Sequence, residues 1–341
     1  MLLPLPPALA ALSALLLFTN PSLALSPADL PPDTPVSQIL QLASSALSSG
    51  SSQDALSYYD IAVARDPSNY LTLFKRGATQ LSLGRSPQAL ADFEKVLAIK
   101  PGFEGALTQR AKIRTRNADW KGAREDYEAV GKGSASEELG RLIEAEKALN
   151  AARAAEKAQK WEECVAQASE AIMVASGAMD LRRLRAKCRM EQGEVEAAMQ
   201  DYRHILQVDA GATELALQLS ATTFYALGDV DKGLEAVRKC LHADPENKLC
   251  GRLTKRERKV EKELKKVKQL IEKRTFTGAV KLLIPSADGE QKGLIGVVEE
   301  DYKEYKQEGL IPAKAPENLR LQLLEMTCDS FVEVCRTPLS H

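Results

Sequence analysis

Small residues recur at Ala55, Ala89 and Ala123, 34 positions apart, and an aromatic follows each of them at Tyr59, Phe93 and Tyr127. Gly50 and Gly84 keep the same interval, as do Pro67 and Pro101. Four columns sharing one period mean that one structural unit is used repeatedly, because a chain built around a single irregular core has no reason to repeat itself. Each column has a physical role. The glycine makes a tight turn between two helices, the small residue lets the second helix approach the first, the aromatic fills the space between them, and the proline ends the second helix.

A helix pair of 34 residues with these columns is the tetratricopeptide repeat (TPR). After Ala123 the next matching small residue is Cys164, 41 positions on. The seven extra residues are about two helical turns. Glu137 to Lys160 has no proline and only Gly140 near its start, so it reads as one lengthened helix joining two blocks. The period resumes from Cys164 to Ala198 and from Ala198 to Gly233, with Gly193 and Gly228 in the turns and Pro245 closing the block. The expected fold is all-α: a TPR superhelical solenoid of antiparallel helix pairs, with three repeats over 36–136, three over 137–250 and a partial third block over 251–341. In that last block Thr254 to Lys273 reads as an amphipathic helix, with Val260, Leu264, Val267 and Leu270 or Ile271 along one side. Phe276 to Ile284 supplies its partner. Pro285 to Pro316, with Gly289, Gly293, Gly309, Pro312 and Pro316, reads as an insertion. Leu319 to Val334 reads as the first helix of a further, truncated repeat.

Residues 1–24 read as a secretory signal. The apolar run Ala8 to Phe18 precedes the first charged residue, Asp29, and Ser22-Leu23-Ala24 has the small-x-small form of a cleavage site. Pro4, Pro6, Pro7 and Pro21 break the run too often for a membrane span of about 20 residues. The expectation is a protein of the secretory pathway, in the endoplasmic-reticulum lumen or secreted, with no membrane insertion after cleavage. Its ending, Pro338-Leu339-Ser340-His341, is no retention tetrapeptide. A net charge of -1 gives no electrostatic reason to expect nucleic acid. The Lys and Arg residues of 254–273 are interleaved with Glu and lack aromatics, which marks a solvated helix face.

No chemistry of catalysis is legible. The three histidines, His204, His242 and His341, stand apart from any metal-ligand cluster, and there is no phosphate loop or nucleophile elbow. The reading is therefore no enzyme, no cofactor and no metal. His242-Ala243-Asp244 lacks the middle proline of the J-domain tripeptide and sits at a repeat end ahead of Pro245. Cys240 and Cys250 flank that proline on adjacent helices, and a disulfide is favoured there over two free thiols; it would contribute roughly 3 kcal/mol. Cys164 and Cys188 read as inert, packed positions. Cys328 and Cys335 lie seven apart on one helix face with no partner in this chain.

What remains is binding. In repeat two the first helix packs inward through Leu73 and Gly77, which leaves Leu71, Phe74, Ala78 and Leu81 facing the inner groove, beside Leu40 and Leu47 of repeat one. The third repeat shows Thr108, Lys112 and Thr115 instead. Such an apolar patch is either a site for exposed hydrophobic segments of other proteins or a surface covered by ordinary packing. The basic clamp that grips acidic tails is absent, since its positions hold Leu40, Ser44, Lys75, Gly105 and Gln109.

Three stretches carry a family resemblance: Asp66 to Gly84 (DPSNYLTLFKRGATQLSLG), Leu181 to Gly193 (LRRLRAKCRMEQG) and Tyr225 to Cys250 (YALGDVDKGLEAVRKCLHADPENKLC). Over residues 36 to 334 the chain resembles the endoplasmic-reticulum TPR co-chaperone with a C-terminal J-domain, also called the inhibitor of the interferon-induced protein kinase. The family pattern includes the three-by-three grouping, the lysine-rich helix and a cysteine pair matching Cys240 and Cys250. The resemblance implies that the first block binds unfolded clients. It implies a lumenal Hsp70 partner only for a longer form with a J-domain, which these residues lack. The alternative is a TPR scaffold or adaptor without chaperone activity.

Overall fold

The computed structural model describes residues 26–131, 134–286 and 292–336, so the expected leader over 1–24 lies outside the described residues. The described chain is helical throughout and contains no strand. It divides into two compact units at Arg110 and Ala111. The division into blocks at 136 and 250 remains a proposal drawn from the repeat register.

In the first unit α1 (Val36–Ser48) pairs with α2 (Ser52–Arg65), and α3 (Tyr70–Ser82) pairs with α4 (Ser86–Ile99). The repeat columns do here what their chemistry predicts. Ala55, Ala89, Tyr59 and Phe93 are buried, and Asn69 caps α3 by accepting the Thr72 N–H at 3.1 Å. Gly77 lies against the Phe93 ring, where an added Cβ would stand 2.9 Å from Cε1.

The second unit begins within α5 (Glu104–Arg116) and continues with α6 (Trp120–Val130). The seven-residue break in register is absorbed by α7 (Ser134–Lys157), a 24-residue helix that packs along α8 (Trp161–Val174). Then follow α9 (Met179–Gln192) with α10 (Val195–Val208), and α11 (Thr213–Ala221) with α12 (Val230–Ala243). The end of α11 widens into a π-helical turn over Thr222–Ala226. That turn presses Phe224 against Gly233, where an added Cβ would stand 2.6 Å from the Phe224 Cβ.

Beyond Pro245 the helix α13 (Lys248–Glu272) pairs with α14 (Phe276–Leu283) as a seventh repeat, burying Val260, Leu264 and Val267. The segment read as an insertion is not structureless, for it carries α15 (Gly293–Gln307), which buries Leu294, Val298, Tyr302 and Tyr305 in the same core. Its glycines and prolines cluster at the margins, leaving 294–308 interrupted only by Gly296. The last helix, α16 (Asn318–Arg336), packs on α14. No helix among the described residues is long and apolar enough to cross a membrane.

The structure completes the glycine column of the turns and adds an acidic column. The turn between paired helices needs a left-handed residue five positions before each small residue. Gly50, Gly84, Gly193 and Gly228 supply it, but so do Ala118, Gln159 and Arg274, at φ of 60°, 57° and 56°. A sequence search for glycine passes over those three. The second column is acidic: Asp92, Asp126 and Asp201 stand three residues after Ala89, Ala123 and Ala198, each at most 3% exposed. Each accepts hydrogen bonds from an arginine of the paired first helix. Arg76 grips Asp92 through Nε and Nη2 at 2.7 and 2.6 Å, and Arg114 reaches Asp126 at 2.9 Å. The planar guanidinium fork suits this role better than a lysine would.

Candidate functional site

The expected apolar face lies in the first unit, on α3. Leu73 and Gly77 are buried on the core side, and Leu71 and Ala78 are exposed on the other, Leu71 with 47% of its surface in water. Leu81 is half-buried. On α1, Leu47 is 38% exposed, whereas Leu40 is half-buried against the core of the first helix pair. The six candidate residues therefore differ in accessibility, with Leu71, Ala78 and Leu47 the open ones.

Phe74 is held rather than free. Its ring meets Phe103 edge-on at a centroid distance of 5.1 Å and tilts on Phe93 at 5.8 Å. Phe103 in turn packs edge-on against Tyr70 at 5.3 Å, and the Lys100 ammonium caps the group, 4.6 Å from the Tyr70 centroid and 3.1 Å from its hydroxyl. Gly105 leaves room for this arrangement, since a Cβ there would come within 3.1 Å of Phe74 Cζ. Tyr70, Lys100 and Phe103 belong to this face but have no signature in the repeat columns. Phe103 precedes α5 and falls outside the helical spacing that singled out Phe74.

The arrangement is a rigid aromatic ledge beside exposed aliphatic side chains. Completing the burial of a half-exposed leucine gains about 1 kcal/mol, half of the 1.5–3 kcal/mol for a fully exposed one. Two or three such contacts favour weak binding that is tolerant of sequence. Lys75 stands exposed on the same helix face without the acid-gripping partners of a carboxylate clamp.

Elsewhere the described residues contain no His, Cys, Asp and Glu cluster able to hold a metal ion. Cys240 and Cys250 are joined across the α12–α13 turn with a Cα separation of 6.3 Å. Cys164 of α8 and Cys188 of α9, read from sequence as inert, are joined as well, at a Cα separation of 6.2 Å. Cys164 occupies the small-residue column and Cys188 a buried position of α9, which hides the pairing from a reading by spacing. Cys328 and Cys335 are free and exposed on α16.

A tetratricopeptide-repeat family model matches residues 40–102. The tetratricopeptide repeat and J domain-containing co-chaperone DNJ1 of Fusarium oxysporum f. sp. lycopersici is 47% identical, over 91% of this chain and 59% of that protein. DnaJ homolog subfamily C member 3 of Homo sapiens is 29% identical, over 72% of this chain and 50% of that protein. The crystal structure of the TPR domain of P58(IPK) superposes with a TM-score of 0.70 at 25% identity, covering 87% of this chain and 79% of that one. The chain thus spans between half and three-fifths of the length of these curated relatives.

Proposed function

The chain belongs, through its repeat region, to the family of TPR and J domain-containing co-chaperones, and on that premise we propose that it holds unfolded client proteins in the lumen of the endoplasmic reticulum. The carrying observation is the α3 face, where Leu71 and Ala78 stand open beside the ledge of Phe74 and Phe103. Clients in this reading are non-native chains with exposed hydrophobic segments. Delivery to a lumenal Hsp70, and a part in the unfolded-protein response, follow for a form that carries a J-domain. The leader at 1–24, with its Ser22-Leu23-Ala24 site, supports entry to the secretory pathway. The chain is a binding protein of co-chaperone type, not an enzyme.

The test is aggregation of a denatured model enzyme, followed by light scattering with and without the full chain. Leu71→Ser with Ala78→Asp changes exposed positions only, so helix content and melting point should stay near wild type while protection falls severalfold. Phe74 is a poorer target because its ring is part of the packing. If the folded double variant protects as well as wild type, the client face is elsewhere. Failure of the wild-type chain to protect at all leaves the scaffold reading.

A further inference from the structure

The first helices of repeats five and six, α9 and α11, carry the positions that form the apolar face in repeat two. Phe74, Ala78 and Leu81 precede Ala89 by 15, 11 and 8 residues, and Gln218, Thr222 and Tyr225 precede Gly233 by the same intervals. Lys187 and Met190 precede Ala198 by 11 and 8. By helical spacing each set lies along one face. In the second unit that face is already occupied by the chain itself.

The occupant is α15 with the segment of turns that follows it, closed by bonds from Leu310 N–H and Ile311 N–H to the Tyr305 carbonyl and from Ala315 N–H to the Pro312 carbonyl. The Tyr225 hydroxyl donates to the Asp301 carboxylate at 3.0 Å, and Thr222 Oγ1 donates to the Leu310 carbonyl at 3.0 Å. Gln218 Nε2 reaches the Gly309 carbonyl at 3.4 Å. Lys314 donates through Nζ to the Glu191 carbonyl at the end of α9. Ile311 is 1% exposed, and the Tyr302 hydroxyl holds the return of the segment by donating to the Ala315 carbonyl at 2.9 Å.

We propose that residues 293–315 are a ligand carried in cis, which fills the peptide-binding face of repeats five and six and excludes other chains from it. The contacts of 309–314 are those of a bound peptide: backbone carbonyls received by side-chain donors, the buried Ile311, and a lysine reaching a helix-end carbonyl. The donors Gln218 and Thr222 read backbone rather than side chains. The face thus suits a turn-forming segment with an apolar residue ahead of a proline and a basic residue shortly after. While the strap is seated, a competing peptide sees only the small fraction of molecules with an open face, and its apparent affinity falls in proportion.

The experiment uses the full chain and a fluorescent synthetic peptide of residues 307–317. Leu310→Gly with Ile311→Gly loosens the strap and leaves α15 in place. That variant should bind the peptide at least about tenfold more tightly than wild type, and adding Thr222→Val should remove the gain. Equal binding by wild type and a folded variant, including none by either, would overturn the proposal. Because loss of Ile311 could disturb folding, a second measurement keeps the natural strap. A benzophenone amino acid at Lys187 should cross-link to residues 309–315 of its own chain. Cross-links to added peptide in comparable yield would equally overturn it.

Discussion

Arg185 on α9 and Asp201 on α10 meet fork to fork, Nε donating to Oδ2 at 3.0 Å and Nη2 to Oδ1 at 2.5 Å. Arg189, one turn further along α9, adds a bond to Oδ2 at 2.8 Å. The carboxylate is 3% exposed and sits where three arginines converge, Arg182 standing 3.8 Å from Oδ1. Removing it takes the carboxylate from the guanidinium groups of Arg185 and Arg189 between two helices and leaves Arg185 only Ser169 Oγ at 3.1 Å and Arg189 only the Ala197 carbonyl at 3.2 Å as hydrogen-bond partners. Asp201→Ala should destabilise the protein by about 3–5 kcal/mol, read as a fall in the urea midpoint of the helical circular-dichroism signal. An unchanged midpoint would show that the guanidinium groups find water.

The left-handed turn column predicts changes in the opposite direction. A residue with a Cβ at positive φ carries about 1–2 kcal/mol of strain that glycine escapes, offset in part by the greater freedom of glycine in the unfolded chain. Gln159→Gly and Arg274→Gly should therefore each stabilise by about 0.5–1 kcal/mol. Gly233→Ala should destabilise by about 1–3 kcal/mol, since its Cβ would meet the Phe224 backbone 3.0 Å away. Melting temperatures of the three variants decide the signs.

Glu257 on α13 is fully buried, and burial pushes its carboxyl from an ordinary 4.5 up to about 8, with Asp301 adding repulsion and Ser220 opposing. The hydrogen bonds agree with a protonated group. Ser220 Oγ lies 2.8 Å from both the Gly233 carbonyl and Glu257 Oε1. A carbonyl only accepts, so the serine proton goes to Gly233, and the carboxyl proton of Glu257 goes to the serine oxygen. Between the two pKa values the native state keeps a proton that the unfolded chain has released. Stability contributed by this group is complete below about pH 4.5 and is lost as pH rises through about 8. The raised Asp301 carboxyl acts in the same sense. Glu257→Gln keeps a donor toward Ser220 and should flatten the fall in urea midpoint between pH 5 and pH 8. Parallel profiles for the two proteins would refute a protonated Glu257.

The four paired cysteines predict a redox dependence. Non-reducing peptide mapping of oxidised protein should recover 164 linked to 188 and 240 linked to 250, with Cys328 and Cys335 alkylated. Replacing Cys240 and Cys250 together by serine should lower stability by roughly 3 kcal/mol, and the loop closed by Cys164 and Cys188 is long enough for at least as large an effect. Free thiols at all four positions would remove both links.

Periodicity is a local property, and what it records was legible in the sequence by itself: the 34-residue helix pair, the buried Ala89 and Phe93, the lengthened α7, and the two sides of α3 marked by Leu73 and Leu71. The candidate face was legible to the same extent, as positions on a helix. Its accessibility was not, because Phe74 is half-buried by Phe103, a residue outside any repeat column. The left-handed Gln159 and Arg274 were hidden because the turn imposes a backbone conformation and not a residue type. Contacts such as Gln218 to Gly309 and Tyr225 to Asp301 join residues 91 and 76 positions apart. Nothing in the spacing of a sequence records a pairing that occurs once, so only the tertiary structure could place α15 and its strap on the face of repeats five and six.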